Sequence, residues 1–219
     1  MKKPVSLDKA IAMMPDRAMV MVGGFMGVGS PQRLIDELVR QRRGGLTLVC
    51  NDTARPGVGV GRLIEAGLVS RLITSHIGTN PVTQQLMLDG DLQVELVPQG
   101  TLAERVRAGG FGLGGVLTPT GVGTLVSEGK RTLEVDGKAF LLETALKADV
   151  ALIKARRADY YGNLEYSLTA RNFNPLMALA AAITIAEVEN IVPLGSIPPD
   201  AVITPGVLVH VLVGRERAA

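Results

Sequence analysis

Residues Gly23 to Ser30, G-G-F-M-G-V-G-S, form the stretch whose composition most invites chemistry. The glycines follow a short apolar run, Met19 to Val22, and precede Ser30-Pro31, which reads as a helix N-cap and first turn. Backbone with few side chains lets a ligand approach N–H groups, which suits a phosphate, a carboxylate or a developing oxyanion. The order Gly24-x-x-Gly27-x-Gly29 is not the dinucleotide pattern. It is not a Walker A loop either, because the Gly-Lys pairs at Gly129 and Gly137 continue into Arg131 and Ala139. A structural turn that binds nothing is the alternative.

The remaining reactive side chains are few. His210 lies in V-L-V-H-V-L-V, which predicts a structural histidine in a buried strand, and His76 falls in a loop where it could meet a ligand. No G-x-S-x-G or H-E-x-x-H occurs, which argues against an α/β-hydrolase and a zinc hydrolase, and no other metal-ligand spacing is present. Among carboxylates, Glu128 beside Gly129 could attack a thioester if it were desolvated and its oxyanion were held by backbone donors. It could equally be a surface residue leading into a hairpin. Asp159, Asn163, Arg171 and Asn172 alternate with Tyr160, Tyr161 and Phe173, a pattern that suits a partner subunit or a buried polar network.

The elements that must position these groups follow from hydropathy. Strands are predicted at Ala18–Val22, Leu46–Cys50, Arg71–Thr74, Gln93–Val97, Ala139–Glu143, Val150–Lys154, Ile183–Val188 and Val207–Val213. Helices are predicted at Leu7–Met13, Pro31–Arg42, Gly61–Glu65, Pro81–Asp89, Leu102–Gly109 and Asn174–Ala182. In the clearest helix, Leu34, Ile35, Leu38 and Val39 share one face. The alternation implies an α/β fold: an open, mostly parallel twisted sheet covered by helices on both faces, as one domain over residues 1–219. Ligands collect beyond the carboxyl ends of such strands. Asn51-Asp52-Thr53, Ser75 to Asn80 and Pro98-Gln99-Gly100 fall there, beside the glycine loop. The glycine-dense segment Gly109 to Gly123 reads as turns, close backbone approach or a cover. Leu133 to Glu143 reads as a hairpin turning at Asp136-Gly137, and Gly214 to Ala219 as a frayed end.

Composition narrows the function classes. The core must be aliphatic, since 47% of the 219 residues are hydrophobic but only 3% aromatic, with no Trp. A formal net charge of +2 and few aromatics argue against a nucleic-acid partner. Cys50 alone permits no internal disulfide and no Cys-based zinc site, and its place in an apolar run predicts a small buried residue. No run of about 18 apolar residues occurs, so no membrane span or signal peptide is expected, and a cytoplasmic location is.

Taken together, the motifs resemble coenzyme A transferase family I of the 3-oxoacid type. The resemblance runs in order through V-G-G-F-M-G-V-G-S-P, N-D-T-A at Asn51, S-H-I-G-T-N-P at Ser75, V-P-Q-G-T-L-A-E-R at Val97, and L-T-P-T-G-V-G-T at Leu117. It continues through G-N-L at Gly162, A-R-N-F-N-P at Ala170 and I-T-P-G at Ile203. It covers nearly the whole chain and is nearest to the alpha (A) subunit. The N-D-T-A and S-H-I-G-T-N-P segments are more similar to the acetate/acetoacetate branch than to the 3-oxoadipate branch, which tends to carry N-N-A-G.

The resemblance implies ping-pong transfer of CoA between two carboxylic acids through a glutamyl-CoA thioester. It places the nucleophilic glutamate in an S-E-N-G motif of a beta subunit, in an α2β2 assembly. Ser127-Glu128-Gly129-Lys130 matches the alpha half's own E-G-K segment, so no catalytic nucleophile is expected in this chain. By resemblance, Gly24, Phe25, Met26, Gly27, Val28, Gly29 and Ser30 bind CoA, and Asn51 and Gln99 face the reacting carbonyl and the substrate carboxylate. CoA is a substrate, and no cofactor or metal is implied. Arg55-Pro56 after N-D-T-A departs from the pattern. A non-catalytic ligand-sensing module on the same fold is the competing reading, although the glycine loop, Asn51 and Gln99 weigh against it. A dehydrogenase is disfavoured by the glycine order.

Overall fold

The computed structural model describes residues 1–215. The fraying expected of the C-terminus falls largely on residues 216–219, which lie outside the described residues. The elements run α1 (Leu7–Ala12), β1 (Met19–Val22), α2 (Gln32–Arg40), β2 (Leu46–Asp52), α3 (Gly61–Glu65), β3 (Val69–His76), α4 (Pro81–Asp89), β4 (Gln93–Leu96), α5 (Gln99–Gly110) and β5 (Gly115–Thr118). Then follow β6 (Thr132–Val135), β7 (Lys138–Thr144), β8 (Ala148–Asp159), β9 (Leu164–Glu165), α6 (Asn174–Leu179), β10 (Ala181–Val192) and β11 (Val211–Val213).

The main sheet has the order β11-β10-β8-β1-β2-β3-β4, and every neighbouring pair in it is parallel; β9 adds antiparallel to β8. The period-2 alternation of strand side chains splits the core into two layers. Val20 and Val22 of β1 join Leu48 and Cys50 of β2 and the buried faces of α1, α2 and α3 on one side. Met21 and Val49 join Leu102, Val106 and Met177 of α5 and α6 on the other. Helices therefore cover both faces, as the hydropathy pattern implied. Each fully buried Leu or Ile contributes about 1.5–3 kcal/mol, so an aliphatic core suffices.

A second, antiparallel sheet, β5-β7-β6, stands apart from the parallel one. Its β6–β7 hairpin turns at Asp136 and Gly137, which have φ of 50° and 71°, as a two-residue hairpin of the predicted kind requires. Arg105 of α5 ties this sheet down: its Nε donates to Thr144 O at 2.8 Å, and its guanidinium lies between Glu95 and Glu143. Lys130 Nζ reaches the buried Glu143 at 2.6 Å.

Several expectations change, and β3, β8 and β10 are each longer than predicted. Val207 to Val213 is a strand only from Val211, because Gly206 packs on Tyr161 O and opens a 3-10 turn over Gly206–Leu208. The last helix stops at Leu179, and Ala181 pairs with Ala148 in β10. Helix α5 starts at Gln99 rather than Leu102, since Leu102 N–H already bonds Pro98 O. The glycine-dense segment contains a strand, β5, as well as turns, and the backbone there does run close to Glu143 O and Leu146 O.

Candidate functional site

The strand order reverses at β1. From β1 the chain steps outward through β2, β3 and β4, then returns to β1's other side as β8 before continuing to β10 and β11. In a parallel sheet, this switch point opens a crevice at the carboxyl ends of the strands. The glycine segment leaves β1 at that crevice. It meets the Leu168–Asn172 segment, which follows β8 and β9.

Phe25 and Val28 exchange both backbone hydrogen bonds, at 3.0 and 2.9 Å, around Met26 and Gly27, with φ of 50° and 84°. This two-residue reversal needs positive φ at both central positions, which Gly27 meets without strain and Met26 does not. The chain braces it from three sides. Asp52 accepts Met26 N–H at 2.9 Å. Asn172 Oδ1 accepts Gly24 N–H at 3.1 Å, while its Nδ2 donates to Val28 O at 2.9 Å. Asn174 Nδ2 donates to Gly29 O at 3.1 Å and Ala170 O at 2.9 Å.

These braces correct the expectation of open backbone donors. Gly23 N–H goes to Leu152 O and Ser30 N–H to Gly27 O. Among the described residues, only Gly27 and Gly29 keep N–H groups without a partner in this stretch. The close approach that glycine permits is made by the chain itself: a Cβ on Gly29 would lie 2.5 Å from Ala170 O, and one on Gly24 would overlap Ser30 Oγ. Ser30 makes no side-chain cap, and α2 begins at Gln32. Its N-terminal N–H groups on Arg33 and Leu34 donate to the buried Glu187 Oε2 at 2.8 and 3.1 Å. An internal carboxylate therefore fills the anion position at this helix end.

Asn51 and Gln99 meet. Gln99 Nε2 donates to Asn51 Oδ1 at 2.8 Å, and Asn51 Nδ2 donates to Asp52 Oδ2 at 2.6 Å. Asn51 is buried at the end of β2; Gln99 is exposed and opens α5 instead of ending a strand. Ser75 Oγ donates to Asn51 O at 2.6 Å, and Thr79 Oγ1 to Ala54 O at 2.7 Å. The loops after β1, β2, β3 and β4 thus share one rim.

An open cavity of about 680 Å³ lies beside this rim, lined by Phe25, Met26, Val28, Leu168, Thr169, Arg171 and Asn172. Its walls are mostly apolar, and Leu168 is 92% exposed. Met26, Leu168 and Asn172 all have positive φ, a concentration of backbone strain at the cavity edge. A second groove of about 510 Å³ runs beside Gly100, Thr101 and Arg107 of α5 and Leu117 of β5.

The other candidates sit elsewhere or are already occupied. Glu128 is exposed at the end of a 3-10 turn. His76 is exposed at the end of β3. His210 is exposed and precedes β11, contrary to the buried strand expected; its Nδ1 still has a structural partner, accepting Thr184 N–H at 3.0 Å. Asp159 closes a local network with Tyr161 and Asn163. Cys50 is buried, and that burial pushes its thiol up to about 12. Among the described residues, no group of three or more His, Cys, Asp or Glu could hold a metal, and no helix is long and apolar enough to cross a membrane. The braces Asp52, Asn172, Asn174 and Glu187 were not singled out for this role from sequence. The asparagines of A-R-N-F-N-P were the only local signal.

A family profile described as coenzyme A transferase matches residues 5–215. The chain is 53% identical over 215 residues to the acetate CoA-transferase subunit alpha of Escherichia coli K12, covering 98% of each. It is 46% identical over 211 residues to the acetoacetyl-CoA:acetate/butyrate CoA transferase alpha subunit of Clostridium acetobutylicum, covering 96% of this chain and 97% of that one. Among solved structures, an acyl-CoA transferase apoenzyme from Escherichia coli O157:H7 superposes with a TM-score of 0.85 at 24% identity, over 98% of this chain but 47% of that one. A variant of the AibA/AibB decarboxylase superposes with a TM-score of 0.83 at 30% identity, over 98% of this chain and 84% of that one.

Proposed function

The chain belongs to the coenzyme A transferase family, and from that premise we propose that it is the alpha subunit of an enzyme moving CoA between an acyl-CoA and acetate or another short-chain or 3-oxo acid. The observation that carries this reading is the meeting, at the switch point, of the Asn51–Gln99 amide pair with the glycine turn through Asp52. In the proposed cycle a beta-subunit glutamate attacks the acyl-CoA carbonyl and CoA thiolate leaves, giving a mixed anhydride. The thiolate then attacks the glutamyl carbonyl and the first acid departs as carboxylate. The second acid runs both steps backwards. Asn51 and Gln99 each spend one amide N–H within the chain, and the second can face negative charge on the reacting carbonyl or carboxylate. The Gly24 to Ser30 turn presents Phe25, Met26, Val28 and the N–H groups of Gly27 and Gly29 to CoA.

Both curated relatives carry the name of an enzyme's alpha subunit, which supports a beta partner and disfavours the ligand-sensing alternative. An α2β2 assembly, a cytoplasmic location, a role in fatty acid metabolism and a reaction needing no cofactor beyond CoA as substrate belong to the same proposal. Co-expression with a beta subunit, followed by an acetoacetyl-CoA plus acetate exchange assay, tests it. The chain alone should be inactive, the complex active, and Glu128→Ala in the complex should keep most of the rate. Exchange by a homomer overturns the reading. Release of CO2 in place of exchange would favour decarboxylation, the activity named for the AibA/AibB neighbour.

A further inference from the structure

We propose that Asp52 is a positioning residue that sets the donor and acceptor polarity of the Asn51–Gln99 amide pair. The kinetic part of the argument rests on the functional reading above; the structural part does not. Asp52 is 5% exposed. Its Oδ1 accepts Ala54 N–H at 2.8 Å, its Oδ2 accepts Asn51 Nδ2 at 2.6 Å, and Met26 N–H reaches both oxygens at 3.1 and 2.9 Å. Every one of these partners is a donor, so the site suits a group that only accepts, which is an ionised carboxylate.

That requirement passes along the chain of side chains. The two ends of an amide have nearly the same size and shape, so sterics do not choose between them; hydrogen bonding does. Facing Asp52, Asn51 must present Nδ2. Its Oδ1 is then turned to Gln99 Nε2 at 2.8 Å and Ser75 Oγ at 3.4 Å. Gln99 in turn is held with Nε2 toward Asn51, and its remaining N–H and its Oε1 take fixed directions at the N-terminus of α5. The same carboxylate holds the tip of the glycine turn through Met26. One buried anion thus registers the turn against the amide pair.

Asp52→Asn separates this role from simple packing. The substituted side chain keeps an oxygen for the Ala54 and Met26 N–H groups, and its volume is unchanged. Its new NH2 group, however, would face Asn51 Nδ2, donor against donor. Relief comes if Asn51 turns over, which forces Gln99 to turn over as well; the Ser75 hydroxyl can accept as readily as donate. Both amides then present the wrong atom to developing negative charge.

The test uses the full chain in complex with a beta subunit as wild type, Asp52→Asn, Asn51→Ala and the double variant. Asp52→Asn should lower kcat by ~10²-fold, the scale of a displaced catalytic group, with the urea midpoint near wild type. Added to Asn51→Ala, it should cost less than about threefold more, because its route runs through Asn51. Wild-type kcat in Asp52→Asn, or losses that multiply in the double variant, would overturn the proposal. A second arm needs no turnover. In chain with 15N-labelled side-chain amides, the Gln99 NH2 signals should move in Asp52→Asn and stay in place in a control at the distant Gln85. Unmoved Gln99 signals also overturn it. A wild-type complex without thioester exchange would instead sink the functional reading and leave this second arm to decide the first.

Discussion

Changing Asn174 to Asp should make the protein lose stability as pH rises. Asn174 is fully buried; its Oδ1 accepts Lys154 N–H at 3.0 Å while its Nδ2 donates to the carbonyls of Gly29 and Ala170. An aspartate of the same shape keeps the acceptor but turns the donor into an oxygen facing two carbonyl oxygens. The folded state can restore one of those bonds only by taking up a proton, so the folded pKa of the new group is raised above its unfolded value of about 3.9. Below that value both states are protonated, and the penalty is the one missing bond, about 1 kcal/mol. As pH rises toward the folded pKa, the penalty grows by about 1.4 kcal/mol per unit and then levels off. If the folded group is still protonated at pH 7, the proton uptake costs about 4 kcal/mol, for a total of about 5. Urea unfolding of wild type and Asn174→Asp at matched protein concentration from about pH 4 to 7.5 measures the difference directly, since titrations common to both chains cancel. A difference that stays flat with pH, or is under about 1 kcal/mol at pH 7, would refute the clamp that joins the glycine turn to the A-R-N-F-N-P segment.

In the assembled enzyme, Gln99→Ala should lower turnover by ~10²-fold, the scale of one lost donor to an oxyanion; a wild-type rate would remove Gln99 from the site. Cys50 should resist alkylation at neutral pH in the folded chain and react at once in denaturant, because burial holds its thiol protonated; rapid labelling of the native chain would contradict this. Glu95 is half-buried. Burial alone would raise its pKa, but Arg105 and then Arg71 outweigh it and hold the carboxyl below the usual range. The stability Glu95 adds is thus present above its unfolded pKa and lost as pH falls through its folded one. The deficit of Glu95→Gln against wild type should shrink on acidification, and a deficit unchanged below about pH 4 would refute the assignment.

The scaffold was legible because its signals are local. Apolar runs such as Leu46 to Cys50 are bounded by turn residues, and Pro81 with Gly90 brackets α4 as written. β8 and β10 run past their predicted ends because Arg157 pairs with Glu165 across β8 and β9 and with Asn190 along β10, so the ladder continues through charged residues. Although Gln99 opens α5 rather than ending a strand, the places of Asn51 at the end of β2 and of the glycine segment after β1 were readable. What holds them was not. Glu187 caps a helix 154 positions earlier in the chain, and Asn172 reaches Gly24 across 148. No periodicity or propensity encodes a contact at that separation, and an Asn that braces backbone looks in sequence like any loop Asn. The glycines do mark close approach, and at Gly24 and Gly29 the groups that come close are Ser30 and Ala170 of the same chain, which no local pattern encodes.

Where the carboxylates are spent bears directly on the division of labour proposed above. Glu187 is committed to the start of α2, Asp52 to the turn and the amide pair, Glu143 to Lys130 and Arg105, and Asp159 to its own loop. Glu128 points into water, where an anion is well solvated and a poor nucleophile toward a thioester. In the proposed site the rim has the opposite character, with donors to spare in the N–H groups of Gly27 and Gly29 and the second amide N–H of Asn51 and Gln99. A set of donors lowers the energy of negative charge that forms on a bound carbonyl, but it cannot supply the electron pair that forms the bond. On that proposal this chain brings half of an acyl-transfer site. Its natural complement is a carboxylate carried on another chain and brought to the rim from outside, which is why activity that depends on a beta subunit is the outcome on which the functional reading stands.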